Sequence, residues 1–450
     1  MSNSMTVGLS MIVKNEAHTL RMCLESVRGV VSRIVVADTG STDGSANIAR
    51  EFGAKVITIP WENDFAKARN AALATMQTDW VLVLDADEEL DCQTASKIPQ
   101  LIKRQGVGGY LTPIRNYVPT ATGRGWDRAA QTNDSSHPRA KDAPAYFVHE
   151  NCRLFRRNPE IYFIGRVHEL VEHSIKAAGL KLLRSDVYIH HFGQLAAGED
   201  RRKKAAAYLE MLRLKVRELP SDPMAWLQLG LQEYEYSHET TEPLRCFERA
   251  LQLEPKAVQG WLFKGMIHLD SENYQQALAD LDRVRSDIAS RAFCEHLRGD
   301  ALHNLGRLGE ARESYAKSGK LTHGDPIIIS KLGYTEVRLG RVQEGITKLK
   351  QAAESAPEVG EIQERLMKAY ITTNQLPEAA EQAEQLAKVE STPKSYLRAA
   401  SIWKHMKQND RAEAILQRGI EFFPEAQELQ KAFAELNDIR TAIAASSTGR

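Results

Sequence analysis

Two hydrophobic rhythms divide this chain near residue 200. Before that point, short apolar runs of strand length alternate with stretches whose apolar positions recur at helical spacing. Residues 7–13 form the first run, which predicts a strand and breaks into Lys14-Asn15-Glu16. Leu20, Cys23, Leu24 and Val27 then follow helical spacing. Residues 34–37 predict a second strand, closed by the polar cluster Asp38-Thr39-Gly40-Ser41-Thr42-Asp43-Gly44-Ser45, a turn with several N-cap candidates. A helix to about Phe52, a strand over 55–59 and a helix opened by Asp64 come next. The fourth strand begins at Trp80 and stops abruptly in Asp85, Asp87, Glu88 and Glu89. Strands alternating with helices in this way predict an α/β fold of Rossmann-like type, with a mostly parallel sheet and crossover helices.

After residue 200 the strand pattern ends. Residues 198–204 are a charged hinge into a helix that Pro220-Ser221-Asp222-Pro223 stops. Gly230, Gly265, Gly299 and Gly333 recur every 34 or 35 residues. Ala277, Ala311, Gly345 and Ala379 repeat in a second register, and Ala412 follows one residue short. Small residues in such columns let paired helices approach closely. Trp226 and Trp261 share an early slot, and Pro255, Pro357 and Pro424 punctuate repeat ends. This pattern resembles tetratricopeptide repeats, with about six helix pairs expected over residues 222–424 on that period. The resemblance implies an all-α solenoid with a groove for an extended peptide or protein, or a buttress or homo-oligomer surface. The expected organisation is an α/β domain over 1–197, a linker helix over 198–221, a repeat domain over 222–440 and a fraying tail over 441–450.

Candidate chemistry gathers at strand ends. In a parallel sheet the clusters Asn15-Glu16, Asp38 and Asp85/Asp87 fall on one edge, where ligands bind. Two aspartates one residue apart at a turn can share a hard divalent cation and leave positions open for phosphate oxygens. Asp38 suits the N–H of a base and the hydroxyls of a ribose.

The pieces Met11-Ile12-Val13-Lys14-Asn15-Glu16, Ala37-Asp38-Thr39-Gly40-Ser41-Thr42-Asp43-Gly44, Asp64-Phe65-Ala66-Lys67-Ala68-Arg69-Asn70 and Asp85-Ala86-Asp87-Glu88 resemble the family 2 glycosyltransferases of GT-A fold. The similarity spans roughly residues 5–195 and is nearest to bacterial members that glycosylate lipopolysaccharide core, flagellin or small peptides. It implies a nucleoside-diphosphate sugar as donor (a UDP-sugar by default), Mn²⁺ or Mg²⁺, a hexosyltransferase-type reaction and inversion at the anomeric carbon. By position it implies base and ribose contacts at Asn15, Glu16 and Asp38, donor-proximal roles for Arg69 and Asn70, a ribose or metal contact at Asp85 and a metal ligand at Asp87. A late histidine often completes the metal sphere in such enzymes. His191, followed by Phe192-Gly193, fits that pattern better than His190, and His168 is a second candidate ligand. Strand alternation lets only one of His190 and His191 face the site. His137, His149 and His173 read as structural or exposed.

Inverting transfer needs a group to take the acceptor's proton. Glu169 leads, with Asp127, Asp134, Asp142 and Glu150 as rivals. Residues 119–145 are polar and aperiodic, which suggests a mobile acceptor-side loop or a variable insertion.

Composition narrows the partners. Lys plus Arg and Asp plus Glu number 59 each, so no global field recruits nucleic acid or an anionic membrane. No apolar run reaches the roughly 18 residues of a membrane-spanning helix. The start of the chain lacks a signal-peptide layout. The five scattered cysteines read as thiols of a reducing, cytoplasmic setting. The expected function is transfer of a sugar to a protein or peptide presented by the repeats. The alternatives are a lipopolysaccharide-core or lipid-linked acceptor, and a catalytically dead sugar-nucleotide scaffold. The intact Asp85/Asp87 pair argues against the last, since a metal site that has lost its metal leaves carboxylates unpaired.

Overall fold

The computed structural model describes residues 5–119, 131–134, 137–195, 199–284, 288–322 and 324–447. Its first part runs β1 (Val7–Val13), α1 (Ala17–Ser26), β2 (Arg33–Asp38), α2 (Ser45–Glu51), β3 (Lys55–Thr58), α3 (Phe65–Ala74) and β4 (Trp80–Val83). Then come β5 (Glu88–Leu90), α4 (Ile98–Leu101), β6 (Val107–Val118), β7 (Gln131–Thr132), β8 (Ala145–Arg156), α5 (Glu172–Ala177), β9 (Lys181–Arg184) and β10 (Ile189–His191).

Strands β3, β2, β1 and β4 lie side by side in that order and all run parallel. The chain steps from β1 to β2 on one side and returns to β4 on the other, so a topological switch point falls between β1 and β4. Beyond β4 the sheet becomes mixed. β8 runs antiparallel to both β4 and β6, while β10 is parallel to β6 and antiparallel to β5. β4 is covered on both faces, as its unbroken apolar run requires. Trp80, Leu82 and Leu84 join Leu9, Leu20 and Leu24 on one side. Val81 and Val83 join Ala72, Leu73 and Phe155 on the other.

The rest is helical: α6 (Glu199–Glu218), α7 (Pro223–Ser237), α8 (Thr241–Leu253), α9 (Val258–Asp270), α10 (Tyr274–Leu281), α11 (Ile288–Asn304), α12 (Leu308–Leu321), α13 (Pro326–Arg338), α14 (Val342–Ser355), α15 (Gly360–Thr372), α16 (Leu376–Glu390), α17 (Pro393–His405), α18 (Asn409–Phe422) and α19 (Gln427–Ser447). The chain divides into two compact units, one ending at Gly260 and one starting at Trp261.

The first unit therefore contains α6, α7 and α8. Leu209, Met211, Leu212 and Val216 of α6 and Ala225 and Leu229 of α7 form one buried cluster with Val167, flanked by Trp61, Phe65 and Tyr208. Buried Lys215 donates to Val167 O at 3.1 Å and to Gln228 Oε1 at 2.9 Å. Arg166 pairs with Glu218.

In the second unit the small-residue columns are contact points between paired helices. A Cβ at Gly333 of α13 would stand 2.8 Å from the carbonyl oxygen of Gly345 on α14, and one at Gly345 would stand 2.5 Å from that of Gly333. The backbones touch there, so only glycine fits. Ala277, Ala311 and Ala379 are fully buried in the same column. Lys331 Nζ donates to both carboxylate oxygens of Asp300 at 2.6 Å, which ties α13 to α11.

Candidate active site

Burial along β4 ends at Asp85, and the Glu88 N–H closes the following turn on Asp85 O at 3.0 Å. β5 then pairs with β10, His191 opposite Glu88, and β10 pairs with β6, His191 opposite Asn116. This stacking brings Asp87 Oδ2 to 3.2 Å from His191 Nε2 and His191 Nδ1 to 2.7 Å from Asn116 Oδ1. The Phe192 N–H donates to Asp87 O at 3.1 Å and fastens the two strands. Asn116 Nδ2 lies 2.7 Å from His149 Nδ1 on β8. A Cβ added to Gly193 would come within 2.5 Å of Asp87 Oδ2 and 2.8 Å of His191 Nε2. The missing side chain keeps open the space that both groups face. Burial disfavours a charged His191, but the hydrogen bond and charge of Asp87 outweigh it and raise its pKa to about 9. Burial, together with Arg153 and His191, lowers His149 to about 4.

His190, one residue earlier, points elsewhere. Its Nδ1 lies 2.8 Å from the Tyr117 hydroxyl and its Nε2 3.2 Å from Asp91 Oδ2.

Asp85 belongs to a second arrangement. One oxygen accepts from Arg69 Nη2 at 2.7 Å and the other from Arg153 Nη2 at 3.1 Å. Arg153 also donates to Glu88 Oε1 at 2.7 Å, and Arg69 Nε pairs with Glu169 Oε1. Both arginines are about nine-tenths buried. Burial would raise the Asp85 carboxyl, yet the Arg69 and Arg153 guanidiniums hold it well below the usual carboxylate range. Burial is the main reason Glu88 is pushed up to about 7, against the pull of Arg153. Both oxygens of Asp85 are thus taken up by arginine, and the pair beside Gly193 is Asp87 with His191.

At the ends of β1 and β2 the predicted nucleotide contacts brace one another. Asn15, at φ 56°, accepts from Thr42 N at 2.8 Å through Oδ1, and its own N–H donates to Ser41 Oγ. The Glu16 N–H donates to Ser45 Oγ at 2.9 Å. Asp38 Oδ1 accepts from Gly40 N and Ser41 N. These bonds lock two loops together at the switch point.

Two of the predicted residues have contacts of their own. Asn70 donates to the backbone of Phe163 at 2.9 Å and accepts from it at 2.8 Å. His168, at φ 52°, stands by Tyr208 of α6. Among the described residues no three His, Cys, Asp or Glu side chains group as a metal site. The carboxylate of Glu169 is buried against Arg69. Of its rivals, Asp134 pairs with Arg115, Glu150 with Arg184, Asp142 is exposed, and Asp127 lies outside the described residues. The mobile-loop expectation for 119–145 likewise falls partly outside them, at 120–130 and 135–136. Asn116, His149 and Arg153 have no motif of their own in the sequence. A register shift at Arg153, between the pairs Tyr110–Leu154 and Leu111–Cys152, breaks the two-residue alternation of β8, so spacing alone does not place Arg153 with His149.

The comparisons fit this geometry. The profile described as glycosyl transferase family 2 matches residues 9–161, and that of the tetratricopeptide repeat matches 232–291 and 330–396. A TPR repeat-containing protein of Synechococcus elongatus is 30% identical over 334 residues, covering 70% of this chain and 72% of that one. An uncharacterized glycosyltransferase of Rickettsia felis is 35% identical over 105 residues, 23% of this chain and 37% of the relative. The SPbeta prophage-derived glycosyltransferase SunS of Bacillus subtilis is 23% identical over 231 residues, 50% of this chain and 48% of SunS. Fold and site together define a family 2 glycosyltransferase domain followed by helical repeats. The chain belongs to the family 2 glycosyltransferases that carry tetratricopeptide repeats.

Proposed function

We propose that this protein transfers a sugar, with inversion, from a nucleoside-diphosphate sugar to a protein or peptide acceptor engaged by the helical repeats. A UDP-sugar is the default donor and Mn²⁺ or Mg²⁺ the cation. We read residues 1–197 as the transferase part and 222–440 as the repeat part, joined by 198–221. The observation that carries the reading is the Asp87–His191 pair beside the side-chain-free Gly193, at the carboxyl edge of the sheet. A carboxylate oxygen and an imidazole nitrogen suit a borderline divalent ion, and the gap at Gly193 gives it room. When bound, such an ion offsets the charge that develops on the leaving diphosphate. Asp87 and His191 would hold it. Asp38 and the loops it braces would take the base and ribose.

Asp85 acts through shape: with Arg69 and Arg153 on its two oxygens it fixes the turn that presents Asp87. The Glu169 carboxylate is buried against Arg69, and we assign it to holding Arg69 in place.

The test is a donor screen. The purified protein is incubated with Mn²⁺ and each common nucleotide sugar, and release of nucleoside diphosphate is followed. Hydrolysis of one donor, lost on chelation and in Asp87→Ala, is expected. Activity that survives Asp87→Ala overturns the metal assignment. The absence of hydrolysis, of acceptor-dependent turnover and of any thermal shift with nucleotide sugars would favour a scaffold.

A further inference from the structure

We propose that Asn116 orients two neighbouring imidazoles in opposite senses, so that His191, with its hydrogen held on Nδ1, turns its Nε2 to Asp87 while His149, bare at Nδ1, offers an Nε2–H to a diphosphate oxygen of the donor. The diphosphate half rests on the function just proposed; the tautomer half does not.

The argument begins with the amide. Asn116 is 3% exposed on β6. Its Nδ2 lies 3.1 Å from Ile114 O and 3.3 Å from Phe147 O. Backbone carbonyls only accept, so a flipped amide would set Oδ1 against two other oxygens. The orientation with Nδ2 on that side and Oδ1 towards β10 is therefore fixed by chemistry.

Two consequences follow. Oδ1 can only accept, so His191 Nδ1, 2.7 Å away, must carry a hydrogen. Nδ2 can only donate, so His149 Nδ1, also at 2.7 Å, must be bare. A neutral imidazole bare at Nδ1 is protonated at Nε2. A doubly protonated His149 would point an N–H at an N–H, so the same contact keeps this ring neutral. The low basicity of His149, from burial and from Arg153 and His191, agrees. No described residue accepts from His149 Nε2, and the ring is only partly buried.

The arrangement separates two kinds of ligand. Asp87 and His191 Nε2 suit a cation, which displaces any proton on that nitrogen as it binds. A neutral N–H beside them suits the anion that accompanies it, and adds no positive charge to repel that cation. A bare nitrogen at His149 Nε2 would instead repel phosphate oxygen. One buried amide thus gives the two rings their different tasks. Asn116 is a positioning residue and His149 a binding residue.

Two measurements on the full chain test this. The first is the long-range ¹H–¹⁵N spectrum of histidine-labelled, metal-free protein at neutral pH, with the His149 signal assigned by its loss in His149→Gln. The Nε2–H tautomer is expected; an Nδ1–H tautomer or an imidazolium overturns the role of Asn116. The second is calorimetry with UDP and with UMP, each with Mg²⁺ present. In His149→Leu the affinity for UDP should fall at least ten-fold and that for UMP should change less than two-fold. His149→Gln, whose amide N–H replaces the ring donor, should restore UDP binding. Equal weakening of UDP and UMP, or none, overturns the diphosphate contact. If the unaltered protein binds no nucleoside diphosphate at all, the donor reading fails with it, and the spectrum still decides the tautomer.

Discussion

Gly193 lacks a side chain, and the space this leaves is bounded by Asp87 Oδ2 and His191 Nε2. Its φ is not in the positive region, so alanine would meet no backbone strain there and would conflict only with the atoms it faces. Gly193→Ala is expected to lower divalent-cation affinity by about 10–100-fold, the range for a change just outside the ligands, with little change in melting temperature. Calorimetry with Mn²⁺ and a thermal melt check both. Glu169 gives a sharper contrast. A general base removed costs about 10²–10⁴ in rate, whereas Glu169→Gln keeps an acceptor for Arg69 and should cost less than about ten-fold. It should lower the melting temperature, by about 2–4 °C per kcal/mol lost. Turnover with the acceptor and a melt separate the two roles. At this scale the sequence reveals where carboxylates cluster but not which way they face. Asp85 and Asp87 look alike in a strand-end motif. Arg69 and Arg153, 16 and 68 residues from Asp85, take up its two oxygens, and no local pattern encodes that.

Among the elements, β1 to β4 and their helices follow from period and breakers because strand and helix alternate and all four strands pair in parallel. The antiparallel half is different. β6 and β8 pair across a stretch without periodicity, Val118 opposite Ala145, and nothing local sets their register. α6 is the other case. Leu209, Leu212 and Val216 read as one face of a helix, but the partner of that face, Val167 with Trp61 and Phe65, lies more than 40 residues away. Because α6 covers Val167, Trp61 and Phe65, a fragment ending at residue 197 would expose those residues and is expected to aggregate. A fragment ending at Gly260, the limit of the first compact unit, should fold with a cooperative transition. Circular dichroism melts and size-exclusion profiles of the two fragments decide the matter; equal folding would mean that α6 contributes nothing to the transferase part.

For the whole molecule, the repeat period in the small residues is legible because each repeat must solve the same close approach, as Gly333 and Gly345 do. What the repeats bind is not legible from that period, since a contact between helices says nothing of a guest. Among the described residues no helix is long and apolar enough to cross a membrane. The two-unit division gives the acceptor assignment a direct consequence. The residues proposed for the donor all lie before Gly260, and the helices proposed to engage the acceptor lie mostly after it. The 1–260 fragment should therefore hydrolyse donor slowly at a rate within about two-fold of the full chain, and transfer to a protein acceptor should fall far more, by loss of binding and positioning. Parallel assays of diphosphate release with and without acceptor measure both. If acceptor-dependent turnover persists undiminished in the fragment, the repeats do not present the acceptor.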